Sequence, residues 1–282
     1  MTDPFVVCVM LTRGERPAMM TAAVESWRRQ TYRNRRLLIW DTGGENGGLN
    51  SISDSICYFH VGGGGSKTVG ALRNDANDIA HWLSADIIAH WDDDDWSHEE
   101  RLAEQVALLR LSGRQCVGYN SVPFWDQRCP RGGKGEASPK DRDTADHASP
   151  GSDGESWLYA NADGRFVVGA SMCYWTWAWQ SDPFDAAPRR PDPRGSGEDY
   201  RWWVKHAAAC LGVAARPWVL GSKGMYQQAA RMVCRIHSGN TSKAYARDLM
   251  AAYNREWLRA PELDVYCRAA MSFEKEQSCS AL

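Results

Sequence analysis

The segment ADIIAHWDDDDWSHEERLAEQVALL, residues 85–109, decides the fold, because it joins an apolar strand to a helix through four consecutive aspartates. Residues 86–91 predict a short buried strand, and residues from about 98 to 111 predict a helix. Two carboxylates about 5 Å apart repel by roughly 3 kcal/mol at an effective dielectric constant near 20, so the run needs positive charge or solvation. On an extended backbone Asp92 and Asp94 would point to one side and Asp93 and Asp95 to the other. Such carboxylates suit a hard divalent cation.

Strands and helices alternate upstream of this segment. Apolar strands are predicted at 5–11, 36–41 and 55–60, with helices from Pro17 to about Gln30 and from about Lys67 to Leu83. This order predicts an α/β fold with a Rossmann-like, mostly parallel central sheet and flanking helices. In such sheets ligands bind at the carboxyl ends of strands. Asp41, the glycines of 62–65 and the aspartate run all fall at such ends, so we expect them to share one crevice.

The second half of the chain is less regular. Residues 126–156 and 181–197 are rich in Gly, Pro, Ser and mixed charge, a composition that predicts mobile loops. Residues 166–175 predict a strand, Glu198 begins a predicted helix, and the tail from about Ala244 is predicted to be helical.

Composition excludes several classes of protein. The chain has 282 residues and a formal net charge of -2, which argues against a large non-specific phosphate-binding surface. Its nine cysteines form no CxxC pair, which favours reduced thiols in a cytoplasmic protein. No run reaches about 18 apolar residues, so no membrane helix or signal peptide is predicted.

Two metal or phosphate motifs are excluded by their spacing. GGGGSKT, residues 62–68, fails the phosphate-loop pattern G-x-x-x-x-G-K-[ST], because Ser66 precedes Lys67 and Val61 stands five residues earlier. An EF-hand beginning at Asp92 would place Trp96 and Ala103 where oxygen ligands are required. A solvated acidic turn remains the simplest alternative for the aspartate run.

Read together, several segments resemble family 2 glycosyltransferases of the GT-A fold. TRGERPAMMTAAVESWRRQTYRNRRLLIWD (12–41) is similar to the opening of those enzymes, and GALRNDAND (70–78) to their G-x-x-R-N helix. Residues 85–109 resemble their D-x-D strand and E-R-L helix, FVVGASMCYW (166–175) their acceptor-side strand, and GED (197–199) their E-D motif. RIHSGNTS (235–242) is similar to a C-terminal H-x-x-N-T-S segment, so the resemblance covers roughly residues 5 to 243.

The resemblance implies a metal-dependent, inverting transfer of one sugar from a nucleoside diphosphate sugar to an acceptor hydroxyl, with a UDP-sugar favoured and Mn²⁺ or Mg²⁺ as cofactor. Asp199 is the implied general base; its alternative role is to cap the following helix. Asp94 and His237 are the implied metal ligands. The implied donor-binding residues are Thr12, Arg16, Asp41, Arg73, Asp92 and Asp93, and the implied supporting or phosphate-contacting residues are Glu198, Asn240, Thr241 and Ser242.

We expect a nucleotide-sugar-binding half over 1–120 and an acceptor-binding half over 121–282 of one continuous domain. The chain lacks the Q-x-x-R-W pattern and the membrane helices of processive synthases, which favours single-sugar transfer. The acceptor stays open between a glycan, a lipid-linked sugar, a protein and a small molecule. A hydroxymethylated base of viral DNA, embraced by Trp125 and Trp157, is a further alternative. A nucleotidyltransferase, a phosphate-loop NTPase and an inactive sugar-nucleotide-binding module are alternatives of other classes.

Overall fold

The computed structural model describes residues 2–44, 51–63, 67–127, 154–160, 167–187, 197–214, 231–237, 257–260 and 263–278. Its first half contains β1 (Val6–Thr12), α1 (Pro17–Arg28), β2 (Arg35–Asp41), β3 (Ser51–Ile52), β4 (Ile56–His60), α2 (Val69–Trp82), β5 (Ile87–His90), β6 (Trp96–Ser97) and α3 (Arg101–Ser112). The second half contains β7 (Cys116–Asp126), β8 (Glu155–Ala160), β9 (Cys173–Trp175), α4 (Thr176–Ser181), α5 (Glu198–Lys205), β10 (Cys210–Ala214), β11 (Met232–Ile236), β12 (Trp257–Arg259) and α6 (Asp264–Ser278).

One sheet runs through both halves, in the order β12-β8-β7-β9-β5-β1-β2-β4-β3. Its central strands β4, β2, β1 and β5 are parallel neighbours, as expected for strands connected by helices. Strand β9 lies antiparallel between β5 and β7 and so joins the two halves. The predicted α/β class, with a mostly parallel central sheet and flanking helices, is confirmed.

The two faces of the sheet are covered by different helices. Strand β1 alternates along its length, so that Val7 and Val9 contribute to one core cluster and Val6, Cys8 and Met10 to the other. The first cluster includes buried side chains of α2, α4 and α5, and the second includes those of α1 and α3. Apolar residues on both faces explain why the central strands are continuously hydrophobic in sequence.

The structure differs from the sequence prediction at three places in the second half. Among the described residues of the strand predicted over 166–175, Cys173–Trp175 form strand β9, whereas Gly169–Ser171 form a 3₁₀ turn. The predicted helical tail contains β12, which pairs antiparallel with β8. Strand β7 was not predicted, and it pairs with β8, β9, β10 and β11. These pairings are between residues distant in sequence, which local periodicity does not reveal.

Two features of the described residues concern the cysteines and the helices. None of the seven described cysteines, which exclude Cys129 and Cys279, forms a disulfide, and all seven are buried. Among the described helices, none has the length and apolar character needed to cross a membrane.

Candidate active site

The carboxyl ends of β1, β2 and β5 meet at one edge of the sheet. Thr12 and Asp41 are register partners at the ends of β1 and β2, and the aspartate run follows β5 on the other side of β1. Gly63, which belongs to the glycine-rich segment after β4, donates its N–H to the Gly44 carbonyl at 2.9 Å. The described residues of the predicted crevice therefore lie next to one another at this edge of the sheet.

The aspartate run is a turn rather than an extended strand. Asp93 accepts hydrogen bonds from the Thr12 hydroxyl at 2.6 Å and from Arg16 Nη2 at 2.9 Å. Oδ2 of Asp94 accepts from Arg16 Nη1 at 3.0 Å and from His237 Nε2 at 2.8 Å. Because the backbone turns here, the side chains do not alternate as they would along a strand. The prediction that Asp93 and Asp95 point to the same side is therefore wrong.

Burial and mutual repulsion shape the acidity of the run. Burial raises the pKa of Asp92 to about 7, with Arg73 opposing the rise and Asp94 adding to it. The pKa of Asp95 is raised well above its usual range by burial and by Asp94, although the Arg235 N–H donates to its Oδ1 at 2.9 Å. Burial also acts to raise the pKa of Asp94, but the hydrogen bond from His237 and the charge of Arg16 bring it below the usual value. Asp94 is thus the aspartate of the run whose pKa lies below its usual value.

Fixed cations of the protein compensate this charge. Arg16 forms salt bridges to Asp93 and Asp94, and the charges of Arg73 and Arg101 act on Asp92. Arg101 is 1% exposed and lies with its guanidinium 4.8 Å from the Trp91 ring centroid. These arginines therefore supply part of the positive charge that the run needs, so a metal ion is not required to compensate all of it.

Three of the aspartates also form a set suited to a cation. Asp92, Asp94 and Asp95 each offer one carboxylate oxygen, and these oxygens lie within 4.8 Å of one another. An all-oxygen set of carboxylates fits Mg²⁺ or Mn²⁺ better than softer metals. The set includes Asp95, which the sequence analysis did not select. It does not include His237, which contacts Asp94 and Arg16 instead.

Asp41 is oriented by its neighbours at the end of β2. The Gly43 N–H donates to Oδ1 at 2.8 Å, and the Tyr58 hydroxyl donates to Oδ2 at 2.6 Å. The hydrogen bond to Asp41 raises the pKa of Tyr58 to about 12, so Tyr58 remains a donor at neutral pH. A carboxylate held in this way keeps lone pairs for a further donor, such as a base N–H.

The acid pair Glu198 and Asp199 begins α5 and faces α2 and the turn before β9. Arg73, which is 6% exposed, donates from Nε to Glu198 Oε1 at 3.4 Å. A Cβ at Gly70 would lie 2.2 Å from the Asp185 carbonyl oxygen and 3.1 Å from the Glu198 Cβ. Glycine at position 70 therefore allows α2 to approach the start of α5 closely. The charges of Glu198, Asp92 and Asp199 all act on Arg73, so this arginine lies near both acidic groups.

The described residues thus bring together ten of the thirteen site residues predicted from sequence. Asn240, Thr241 and Ser242 lie outside the described residues. Sequence reasoning missed Tyr58, Asp95, Arg101 and Arg235. Asp95 stands within the quoted run and Arg101 within the E-R-L segment, so both had a signal. Arg235 is the first residue of the quoted RIHSGNTS segment, whereas Tyr58 had no signal because its partner Asp41 lies on another strand.

Comparisons with known proteins place the chain among distant structural neighbours. No family model matches, and no curated protein matches. The chain is similar to the crystal structure of S. aureus TarS, with a TM-score of 0.43 and 13% identity over 83% of this chain and 37% of that one. It is similar to the mannosyltransferase PcManGT from Pyrobaculum calidifontis, solved with GDP-Man and Mn²⁺, with a TM-score of 0.48 and 12% identity over 97% of this chain and 70% of that one. TarS 1-349 with UDP-GlcNAc gives a TM-score of 0.45 and 14% identity over 88% of this chain and 64% of that one.

The arrangement of the sheet is that of the fold named by the sequence resemblance. Parallel strands β4, β2, β1 and β5 form a Rossmann-like part of the sheet, the acidic run follows β5, and antiparallel β9 connects these strands to β7. The chain therefore has a GT-A-type α/β fold of the kind that the sequence predicted. The sequence identities to these neighbours are too low to indicate the activity of this chain.

Proposed function

We propose that the protein is a metal-dependent, inverting glycosyltransferase that moves one sugar from a nucleoside diphosphate sugar, with a UDP-sugar favoured, to an acceptor hydroxyl. The observation that supports this best is that two acidic groups both lie close enough to Arg73 for their charges to act on it. One is the run Asp92–Asp95 at the end of β5, and the other is the pair Glu198 and Asp199 at the start of α5. Glycosyl transfer needs both a site for the departing diphosphate and a base for the acceptor.

The donor side begins at Asp41, whose carboxylate is positioned by Tyr58 to accept a hydrogen bond from the nucleotide base. Thr12 and Arg16 extend from the end of β1 toward Asp93 and would line the same pocket. Arg16 and His237 would place positive charge beside the diphosphate as the bond to the sugar breaks. Asn240, Thr241 and Ser242 stay proposed phosphate contacts.

Asp92, Asp94 and Asp95 would hold the divalent cation. A bound Mn²⁺ or Mg²⁺ supplies charge neutralisation of the leaving diphosphate. The protein positions the carboxylates for this purpose through Arg235, which donates its N–H to Asp95, and through His237 and Arg16, which donate to Asp94. Asp94 has the lowered pKa of the three and would be ionised at neutral pH.

Asp199 would accept the proton of the acceptor hydroxyl as the acceptor oxygen attacks the anomeric carbon from the face opposite the diphosphate. One such displacement inverts the configuration at that carbon. Glu198 would act indirectly, since its salt bridge to Arg73 holds the first turn of α5. The identity of the acceptor stays open. We also propose a cytoplasmic location, with which the buried thiols are consistent.

The surroundings of two side chains argue against a phosphate-loop enzyme and against recognition of a flipped DNA base. A phosphate-loop enzyme would direct Lys67 at phosphate, whereas Lys67 Nζ is paired on the surface with Asp75 Oδ2 at 2.6 Å. The hypothesis of a flipped DNA base used Trp125, which is 1% exposed and packs in the core against Val233 and Leu263.

A thermal-shift screen of UDP-, TDP- and GDP-sugars, each with and without Mn²⁺, tests the proposal. We expect one nucleotide class to raise Tm only in the presence of metal, because binding to the folded state alone stabilises it. Asp94→Asn should abolish this shift, and the control Asp75→Asn, on the exposed side of α2, should keep it. A donor-dependent shift that is equal with and without metal, or no shift with any donor, would contradict the proposal.

A further inference from the structure

The Asp199 carboxylate rests directly against Gly169. A Cβ built at Gly169 would lie 1.5 Å from Asp199 Oδ2 and 2.5 Å from its Cγ, whereas real Cβ atoms essentially never approach within 3.0 Å. Gly169 is not among the described glycines with positive φ, so its backbone conformation is open to other residues. Space for the carboxylate, and not backbone strain, is therefore what requires glycine at this position.

Every carbonyl of the turn that contains Gly169 accepts a hydrogen bond. We call Val168–Met172 the backing turn, since it lies behind the Asp199 carboxylate. Within it the Ser171 N–H donates to the Val168 carbonyl at 2.8 Å and the Met172 N–H to the Gly169 carbonyl at 3.0 Å. The remaining carbonyls accept from outside the turn: that of Ala170 from Arg101 Nη2 at 2.8 Å, that of Ser171 from Gln105 Nε2 at 2.6 Å, and that of Met172 from the His90 N–H at 2.8 Å.

A buried chain of hydrogen bonds holds Gly169 itself. His90 is fully buried, and its Nδ1 lies 2.8 Å from the Gly169 carbonyl oxygen, which can only accept. Nδ1 therefore bears the proton, and Nε2 accepts from the Tyr174 hydroxyl at 3.2 Å. Asn77 Nδ2 in turn donates to the Tyr174 oxygen at 2.9 Å. The backing turn thus cannot move without breaking several buried hydrogen bonds.

We propose that Gly169 is a positioning residue that sets the location of the general base. This inference rests on the proposed function, because it assigns Asp199 the role of base. The backing turn limits how far the Asp199 carboxylate can retreat from the acceptor, and the absence of a side chain at position 169 gives the carboxylate its place. The turn is attached through Arg101 to Ser97, which follows the aspartate run. The base and the donor-side carboxylates are thereby held in one frame.

Gly169→Ala tests the proposal, because the methyl group and the carboxylate cannot share the same space. The backing turn is fixed and the Asp199 side chain ends in a rotatable carboxylate, so we expect the carboxylate to move by more than an ångström. Donor hydrolysis, measured as release of the nucleoside diphosphate from the sugar nucleotide that the screen selects, should lose kcat by at least about tenfold and by no more than about 10⁴-fold, the upper limit for the contribution of a general base. The Kd of the donor with Mn²⁺ should stay unchanged.

A double-mutant cycle separates this role from a general loss of structure. In the Asp199→Asn background, Gly169→Ala should have little further effect on kcat, since it acts through the carboxylate that is already lost. Gly212→Ala is the matched control, because a Cβ there would meet only side-chain atoms, the nearest being Val167 Cγ1 at 3.2 Å. That control should keep wild-type kcat and donor affinity.

A crystal structure of Gly169→Ala gives a readout that does not depend on activity. A displaced Asp199 carboxylate on an unmoved backing turn would support the proposal. A carboxylate in its original place beside a shifted turn would overturn it, as would full kcat in Gly169→Ala when Asp199→Asn is inactive. If instead Asp199→Asn retains full kcat, the assignment of the base in the proposed function fails.

Discussion

The aspartate run and the acid pair are both carboxylate groups at the same edge of the sheet, but they are held by different forces. The run Asp92–Asp95 is compensated by the charges of Arg16, Arg73 and Arg101, and His237 contacts Asp94. The contacts of the acid pair include a salt bridge from Arg73 to Glu198 and close approaches to positions 70 and 169, where glycine leaves the space that Glu198 and Asp199 need.

This difference has a mechanistic consequence. Coulomb attraction weakens slowly with distance, so charged partners can be exchanged without loss of compensation. An incoming cation can therefore take over part of the role of Arg16. Steric contact changes sharply within an ångström, so the position of Asp199 is set by packing and tolerates little change.

The largest effect on stability is expected at Arg101, which connects the two regions. Arg101 donates to the Ser97 hydroxyl, to the His90 carbonyl and to the Ala170 carbonyl, all from a fully buried position. Arg101→Met would leave these acceptors buried without their donor, at about 1–3 kcal/mol each for those that find no new partner. We expect the free energy of unfolding in urea to fall by about 2–5 kcal/mol.

The matched control for Arg101→Met is Arg110→Met, on the exposed side of α3, whose salt bridge to Asp3 spans 3.3 Å between half-exposed side chains. We expect this control to change the free energy of unfolding by less than about 1 kcal/mol. Equal losses in the two variants would show that the buried connection between the regions contributes no special stability.

A smaller effect is expected at Asp41, which is oriented by hydrogen bonds rather than by steric contact. Tyr58→Phe removes the donor to Oδ2 but keeps the Gly43 N–H on Oδ1. A neutral hydrogen bond contributes about 0.5–1.5 kcal/mol, so the Kd of the nucleotide measured by calorimetry should rise by about 2- to 10-fold. Tyr32→Phe, whose hydroxyl donates to the Pro4 carbonyl far from the site, should leave that Kd unchanged. An unchanged Kd in Tyr58→Phe would remove Asp41 from base recognition or show that Gly43 alone orients it.

The smallest effect is expected at the other end of α5, where Asp182 receives Lys205 Nζ at 2.6 Å and His206 Nε2 at 2.7 Å. The hydrogen bond from Lys205 is the main reason that the pKa of Asp182 is lowered. A lowered carboxyl pKa stabilises the fold above the ordinary value of 3.8, and this stability is lost as the pH falls through the lowered pKa. Asp182→Asn should therefore cost less than about 1 kcal/mol at pH 7, and the difference from wild type should vanish in acid.

Urea denaturation between pH 3 and pH 7 measures the effect of Asp182→Asn. Asp78→Asn, at an exposed position of α2, is the control and should show no such dependence on pH. A difference from wild type that grows toward acid pH would have the wrong sign for a carboxylate with a lowered pKa.

Local pattern was sufficient for the first half of the fold and for much of the site. The apolar strands and the helix opened by Pro17 were predicted close to their observed limits, because each is a regular element with its own periodicity. The second half was predicted poorly, since β7 and its partners pair across long separations and Gly169 interrupts what was predicted as a continuous strand.

The amino-acid sequence alone indicates the order of strands and helices in the first half, the acidic run after β5, and the residue types that the proposed sugar-nucleotide site requires. Only the tertiary structure decided which carboxylates face one another, which arginines compensate them, and why position 169 has no side chain. The physical reason is that periodicity records which side of its own element a residue occupies. Charge compensation and steric exclusion depend on distances between elements, and those arise only when the sheet and its helices pack.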